Sequence, residues 1–174
     1  MSFKFSAAVK SLSNKPFTVV LCLLSALLLT SCYSYKIYPK EYRNVKNITE
    51  KETVYVLNDT LKKELKILEK SDLFTFTKDS TKTNLKIKLY PIRQYPACGN
   101  PIIAQVLTLG QLPVNLPNQY EYQFDRIEKG KITPQKFNLS ITQRYWFWDA
   151  FTFSRNFEKK AGKVLLAQYQ DKQN

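Results

Sequence analysis

Histidine is absent from this 174-residue chain, glycine occurs four times, cysteine three times and methionine once. Each scarcity removes chemistry. Without histidine there is no Ser-His or Cys-His pair to activate a nucleophile, and so few cysteines leave no thiolate cluster of the usual zinc-binding kind. The glycines, at 99, 110, 130 and 162, are too scattered for a phosphate-cradling loop. Carboxylate-pair chemistry of the glycosidase type stays formally open through Asp125, Glu128, Asp149 and Glu158. Carboxylates in a lysine-rich chain are more often surface ion-pair partners. The expectation is a protein that is not an enzyme and carries no metal or cofactor.

What is present is concentrated at the N-terminus. Lys4, Lys10 and Lys15 precede an apolar run of 13 residues from Phe17 to Leu29, which ends in Leu29-Thr30-Ser31-Cys32. Positive flank, apolar stretch and small residues form the layout of a removable export segment. The run is shorter than the roughly 20 residues of an uncleaved transmembrane helix, and an ordinary secretory signal without lipidation is the other alternative.

The Leu29-Thr30-Ser31-Cys32 motif resembles the lipobox of bacterial lipoproteins. The resemblance implies a signal peptide of residues 1–31, a diacylglyceryl thioether on Cys32, cleavage just before that residue, and a membrane-held chain with palmitate-type acyl groups on its N-terminus. Each buried methylene of such an anchor contributes about 0.8 kcal/mol. Tyr33 occupies the place where an aspartate would mark inner-membrane retention in enteric-type bacteria. For a source with two membranes, the resemblance therefore favours the periplasmic face of the outer membrane.

Residues 32–174 carry 24 basic and 14 acidic side chains, a formal charge of +10. The lysines are dispersed, with no block of five or six, and an exported chain rarely meets nucleic acid, so no nucleic-acid partner is expected. Anionic headgroups, phosphorylated glycolipids and cell-wall polymers are the anions of an envelope, and a lysine-rich surface also serves solubility alone. Cys22 falls in the export segment and Cys32 is the lipid acceptor, which leaves Cys98 without an internal disulfide partner.

The length suits a single small α+β domain spanning 51–174, preceded by a lipidated N-terminal tether over 32–50. The tyrosines and basic residues of 32–50 suit a membrane interface, while the alternation of Tyr33, Tyr35 and Ile37 with Ser34 and Lys36 equally describes a first strand. A strand at Thr53–Leu57 follows, then an amphipathic helix to about Lys70. Asn58 or Asp59 would be its N-cap, Leu61, Leu65 and Leu68 its inner face, and Lys62, Lys63, Glu64 and Lys66 its outer face. Strands are expected at Leu73–Thr77 and Leu85–Leu89, giving β-α-β-β. Tyr120–Asp125 and Phe137–Thr142 alternate on either side of Glu128-Lys129-Gly130-Lys131, a β-hairpin in which Pro134 favours an edge. A C-terminal helix with Phe157, Ala161, Val164, Leu165 and Gln168 on one face, capped by Asn156 or Ser154, packs on an antiparallel or mixed sheet.

Two segments attract a functional reading. The stretch 102–112, including Ile102, Ile103, Val106 and Leu109, holds no charge; it reads first as a buried element, then as a loop dipping into a membrane surface or an apolar docking site. The aromatic cluster from Tyr145 to Phe153 holds both tryptophans, Trp146 and Trp148, flanked by Arg144 and Arg155. Core filling is its bland reading and ligand stacking its sharper one. With Thr108 to Pro113 and the Tyr-Trp-rich end, the chain resembles small uncharacterised envelope lipoproteins, which implies the same location. Two functions follow: a non-catalytic accessory domain docking on an envelope protein or on a second copy, or a binding module for lipid, glycolipid or glycan with an apolar and aromatic pocket.

Overall fold

Alternating side chains and one tight turn organise the molecule. The computed structural model describes residues 33–95, 103, 107, 111–146, 148, 149 and 156–173. In chain order the elements are β1 (Tyr33–Ile37), a 3-10 turn (Lys40–Asn44), β2 (Glu52–Val56), α1 (Lys62–Ser71), β3 (Phe74–Thr77), β4 (Leu85–Leu89), β5 (Arg93–Tyr95), β6 (Val114–Glu128), β7 (Lys131–Tyr145) and α2 (Phe157–Asp171). The fold is α+β, and Tyr33–Asn174 makes one compact unit.

Strands β6 and β7 form a long hairpin, in register from Val114 opposite Tyr145 to Glu128 opposite Lys131. Its two-residue turn has φ of 49° at Lys129 and 82° at Gly130, both left-handed, as the twist of a two-residue hairpin requires. The sheet order is β1-β7-β6-β4-β2-β3, with β5 also paired to β6. Strands β2, β3 and β4 run parallel to one another while the other pairings are antiparallel. The sheet is therefore mixed, with α1 serving as the crossover between β2 and β3.

One face of the sheet carries the core. Val54, Ile87, Leu89, Tyr122, Phe124, Phe137, Leu139 and Ile141 are buried there, together with Ile67 and Leu68 from α1 and Ala161, Val164 and Leu165 from α2. The opposite face presents Lys86, Lys88, Lys136 and Asn138 in alternation with these residues. The helices cross closely at Gly162, where an added Cβ would lie 2.5 Å from the Lys70 carbonyl carbon and 2.6 Å from the Ser71 nitrogen.

Both prolines of the hairpin sit where a missing N–H is harmless. Pro134 lies on the stretch of β7 that β1 does not reach, and Pro117 lies on β6 beyond the end of β5. The uncovered edge of β7 is closed by α2: the Asn138 N–H donates to Gln168 Oε1 at 3.1 Å, and Lys172 Nζ donates to the Lys136 carbonyl at 2.6 Å.

Two local expectations are corrected, and one open alternative is decided. Residues 33–37 adopt the strand reading, paired with β7 from Tyr33 opposite Tyr145 to Ile37 opposite Ile141. Neither Asn58 nor Asp59 caps α1, whose N-cap position is Leu61. The Asn58 amide instead accepts from the Leu89 N–H and donates to its carbonyl, both at 2.8 Å, and so finishes the end of β4. Glu64 is buried rather than solvated: it accepts from the Ile92 N–H at 3.0 Å, in the gap between β4 and β5 where the ladder is broken. Asn156 does cap α2, accepting from the Lys159 N–H at 2.8 Å.

Candidate functional site

At one end of the sheet the first residue of β1, the last of β7 and the first of β6 stand side by side, as Tyr33, Tyr145 and Val114. One position further in, Ser34, Arg144 and Asn115 share the face away from the helices. Past β7 the chain turns back, with the Asp149 N–H donating to the Trp146 carbonyl at 2.9 Å. The turn carries the Asp149 carboxylate over that face, fully buried. There Ser34 Oγ donates to one oxygen at 2.9 Å, Arg144 Nε donates to the same oxygen at 2.9 Å, and Arg144 Nη2 donates to the other. The two-pronged guanidinium contact gives the buried carboxylate a counter-charge and engages both of its oxygens.

Arg144 also stacks on Trp146, its guanidinium carbon 4.8 Å from the ring centroid, and Trp146 Nε1 donates to the Gln111 carbonyl at 3.1 Å. The arginine is thus held between a carboxylate and an indole. Lys36, one step along the same face of β1, has its ammonium pKa lowered by burial and then by the Arg144, Arg43 and Lys40 cations. Around this basic cluster, Trp148 is 51% exposed and Leu112 61% exposed.

Four of the residues singled out in the sequence, Cys32, Ile102, Val106 and Leu109, lie outside the described residues, as does Cys98. Ile103 and Leu107 are helical and exposed by 58% and 78%, so at these two positions the apolar stretch is not buried core. Tyr145 and Trp146 are half-buried, and neither tryptophan belongs to the hydrophobic core. The structure brings Arg144, Tyr145, Trp146 and Trp148 to one end of the sheet. Sequence reading missed Ser34 and the pairing of Asp149 with Arg144. Nothing in the sequence joins residues 115 positions apart.

Of the other carboxylates considered for catalysis, Asp125 accepts from the Tyr90 hydroxyl at 2.7 Å, Glu128 pairs with Arg126 at 3.3 Å, and Glu158 lines a cavity. That cavity, about 370 Å³, is walled by Tyr33, Tyr35, Tyr120 and Phe157, with Lys63 and Glu158 also in its lining. The Phe157 ring meets Tyr120 at 4.9 Å and Tyr35 at 5.3 Å between centroids. Burial, followed by the neighbouring Tyr33, pushes the Tyr35 hydroxyl up to about 12. A second cavity, about 500 Å³, runs beside the outermost strand β3 and is lined by Tyr55, Leu57, Leu65, Phe76, Glu69 and Lys78. Neither cavity is lined by Trp146 or Trp148.

Among the described residues no cluster of three or more Cys, Asp or Glu side chains is placed to hold a metal ion, and no helix is long and apolar enough to cross a membrane. No family model matches the chain, and no curated protein matches it. Among solved structures, a minor lipoprotein from Acinetobacter baumannii is similar to this chain at 13% sequence identity and a TM-score of 0.34, covering 74% of this chain and 92% of the other.

Proposed function

We propose that the chain is a non-catalytic accessory lipoprotein of the cell envelope, exported by residues 1–31 and held to the membrane through lipid on Cys32. The observation that carries this reading is the Leu29-Thr30-Ser31-Cys32 motif after a basic and apolar leader, which ends one residue before β1 begins. The anchored domain presents a polar sheet face, a β3 edge that is unpaired among the described residues, and the mixed polar and apolar cleft beside it to an envelope protein or to a second copy. An open strand edge offers backbone hydrogen bonds, and the adjoining cleft offers a place for alternate side chains. The periplasmic face of the outer membrane is the location that Tyr33 after the anchor favours. Intact-mass analysis of membrane fractions tests the anchor: the wild type carries the diacylglyceryl mass in the membrane, and Cys32→Ala is unlipidated. Identical soluble masses for both would end the lipoprotein reading. Crosslinking of the lipidated form then identifies what docks.

The tyrosine-walled cavity favours a second reading, a binding module for a lipid, glycolipid or glycan headgroup. Flat aromatic walls with Lys63, Gln94, Gln143 and Glu158 around them suit a polar ring with an apolar face. In that case Tyr120→Ala lowers glycan retention on an array while the wild type is retained, and equal retention of both removes the cavity from consideration.

A further inference from the structure

The end of the sheet that holds Arg144, Trp146 and Trp148 begins one peptide bond after the lipobox cysteine. Consecutive Cα atoms are about 3.8 Å apart, and Tyr33 is already fixed in the sheet opposite Tyr145. A lipid on Cys32 therefore leaves no free spacer between the bilayer and this end. The surface found there has the composition of a headgroup layer contact. Trp148 and Leu112 are exposed apolar groups, Trp146 is half-buried with its N–H directed to the Gln111 carbonyl, and Lys36 lies on the same face of β1 as Ser34, which stands opposite Arg144. Indole rings settle where one side is apolar and the other wet, and cations beside them meet phosphate.

We infer that this end of the sheet rests on the lipid surface, with the Trp148 ring and the Leu112 side chain in the interfacial layer and the Lys36 ammonium over anionic headgroups. The inference rests on the lipid-anchor reading and adds an orientation to it. The domain stands on the end marked by Tyr33, Val114 and Tyr145, and the hairpin turn at Lys129 and Gly130, at the far end of the same two strands, points away from the bilayer.

The chain has two tryptophans, so its indole emission reports on this surface alone. The test uses residues 32–174, which retain the whole compact unit, with Cys98→Ser so that Cys32 is the one thiol available for coupling to a maleimide lipid. The coupled protein is placed in vesicles of palmitoyl-oleoyl phosphatidylethanolamine and phosphatidylglycerol. Emission moves to shorter wavelength, and bromine placed near the headgroup end of the acyl chain quenches it more than bromine at the chain end. Trp148→Phe, at an exposed position, removes most of that quenching while the circular dichroism stays unchanged. Vesicle-bound protein whose emission keeps its solution wavelength and is quenched at neither depth overturns the inference, as does quenching that survives Trp148→Phe undiminished. Because the coupling is chemical, this outcome is separate from cellular lipidation, which the intact mass of the membrane-derived protein decides.

Discussion

Asp149 shows how one buried carboxylate can fix the end of a sheet. Its two oxygens hold the Arg144 guanidinium and the Ser34 hydroxyl, joining β1, β7 and the turn that follows β7. Asp149→Asn preserves the volume but leaves Arg144, also largely buried, without its counter-charge. The expected cost is about 3 kcal/mol, within the range for a broken buried pair, read as a lower urea midpoint. Ser34→Ala removes one hydrogen bond to a charged group and costs about 2 kcal/mol. Tyr35 makes a prediction in pH. Its hydroxyl is pushed from 10.0 up to about 12, mainly by burial, so the folded state favours the neutral phenol. That contribution is whole below pH 10 and is lost as pH rises through 12. Tyr35→Phe reduces the alkaline fall in stability and removes one late-titrating phenol from the ultraviolet absorbance titration.

At the scale of elements, two contacts of α2 decide stability in opposite ways. Gly162→Ala would raise helix propensity by about 1 kcal/mol, yet its methyl would press on backbone atoms of Lys70 and Ser71 rather than on a movable side chain. Overpacking of that kind costs about 1–3 kcal/mol, so the variant melts at lower temperature despite the better propensity. Gln168 closes the open edge of β7 through Asn138. Gln168→Ala leaves that edge unguarded, and faster hydrogen exchange at the Asn138 amide is the expected readout. The same elements show what the sequence made legible. Alternation located β4, the hairpin and its turn, because one face of each strand is apolar and the other polar. Helical spacing located both helices, with Asn156, of the two caps offered for α2, the one the structure uses. It misassigned Glu64, whose burial depends on a gap between β4 and β5 that periodicity does not encode. It gave the sheet-end residues Arg144, Trp146 and Trp148 as a cluster because they are neighbours in the chain. Ser34 stayed invisible, since its partner arrives from a turn more than a hundred residues away.

At the scale of the whole molecule, the sheet joins the first strand of the folded unit to its last: β1 begins at Tyr33 and its partner β7 ends at Tyr145. Pairings this distant in sequence slow folding into the range of milliseconds to seconds, and stopped-flow fluorescence of Trp146 and Trp148 is the measurement that checks it. For a chain that crosses a membrane N-terminus first, the same closure sets an order of events. The residues around Cys32 emerge early, while Arg144 and Asp149, which lock β1 in place, emerge more than a hundred residues later. Throughout that interval nothing holds β1 against β7, so under the proposed lipid-anchor reading a modifying enzyme would meet Cys32 before the sheet closes. On that reading the late arrival of the C-terminal third would act as a timer, keeping the acylation window open until the sheet shuts.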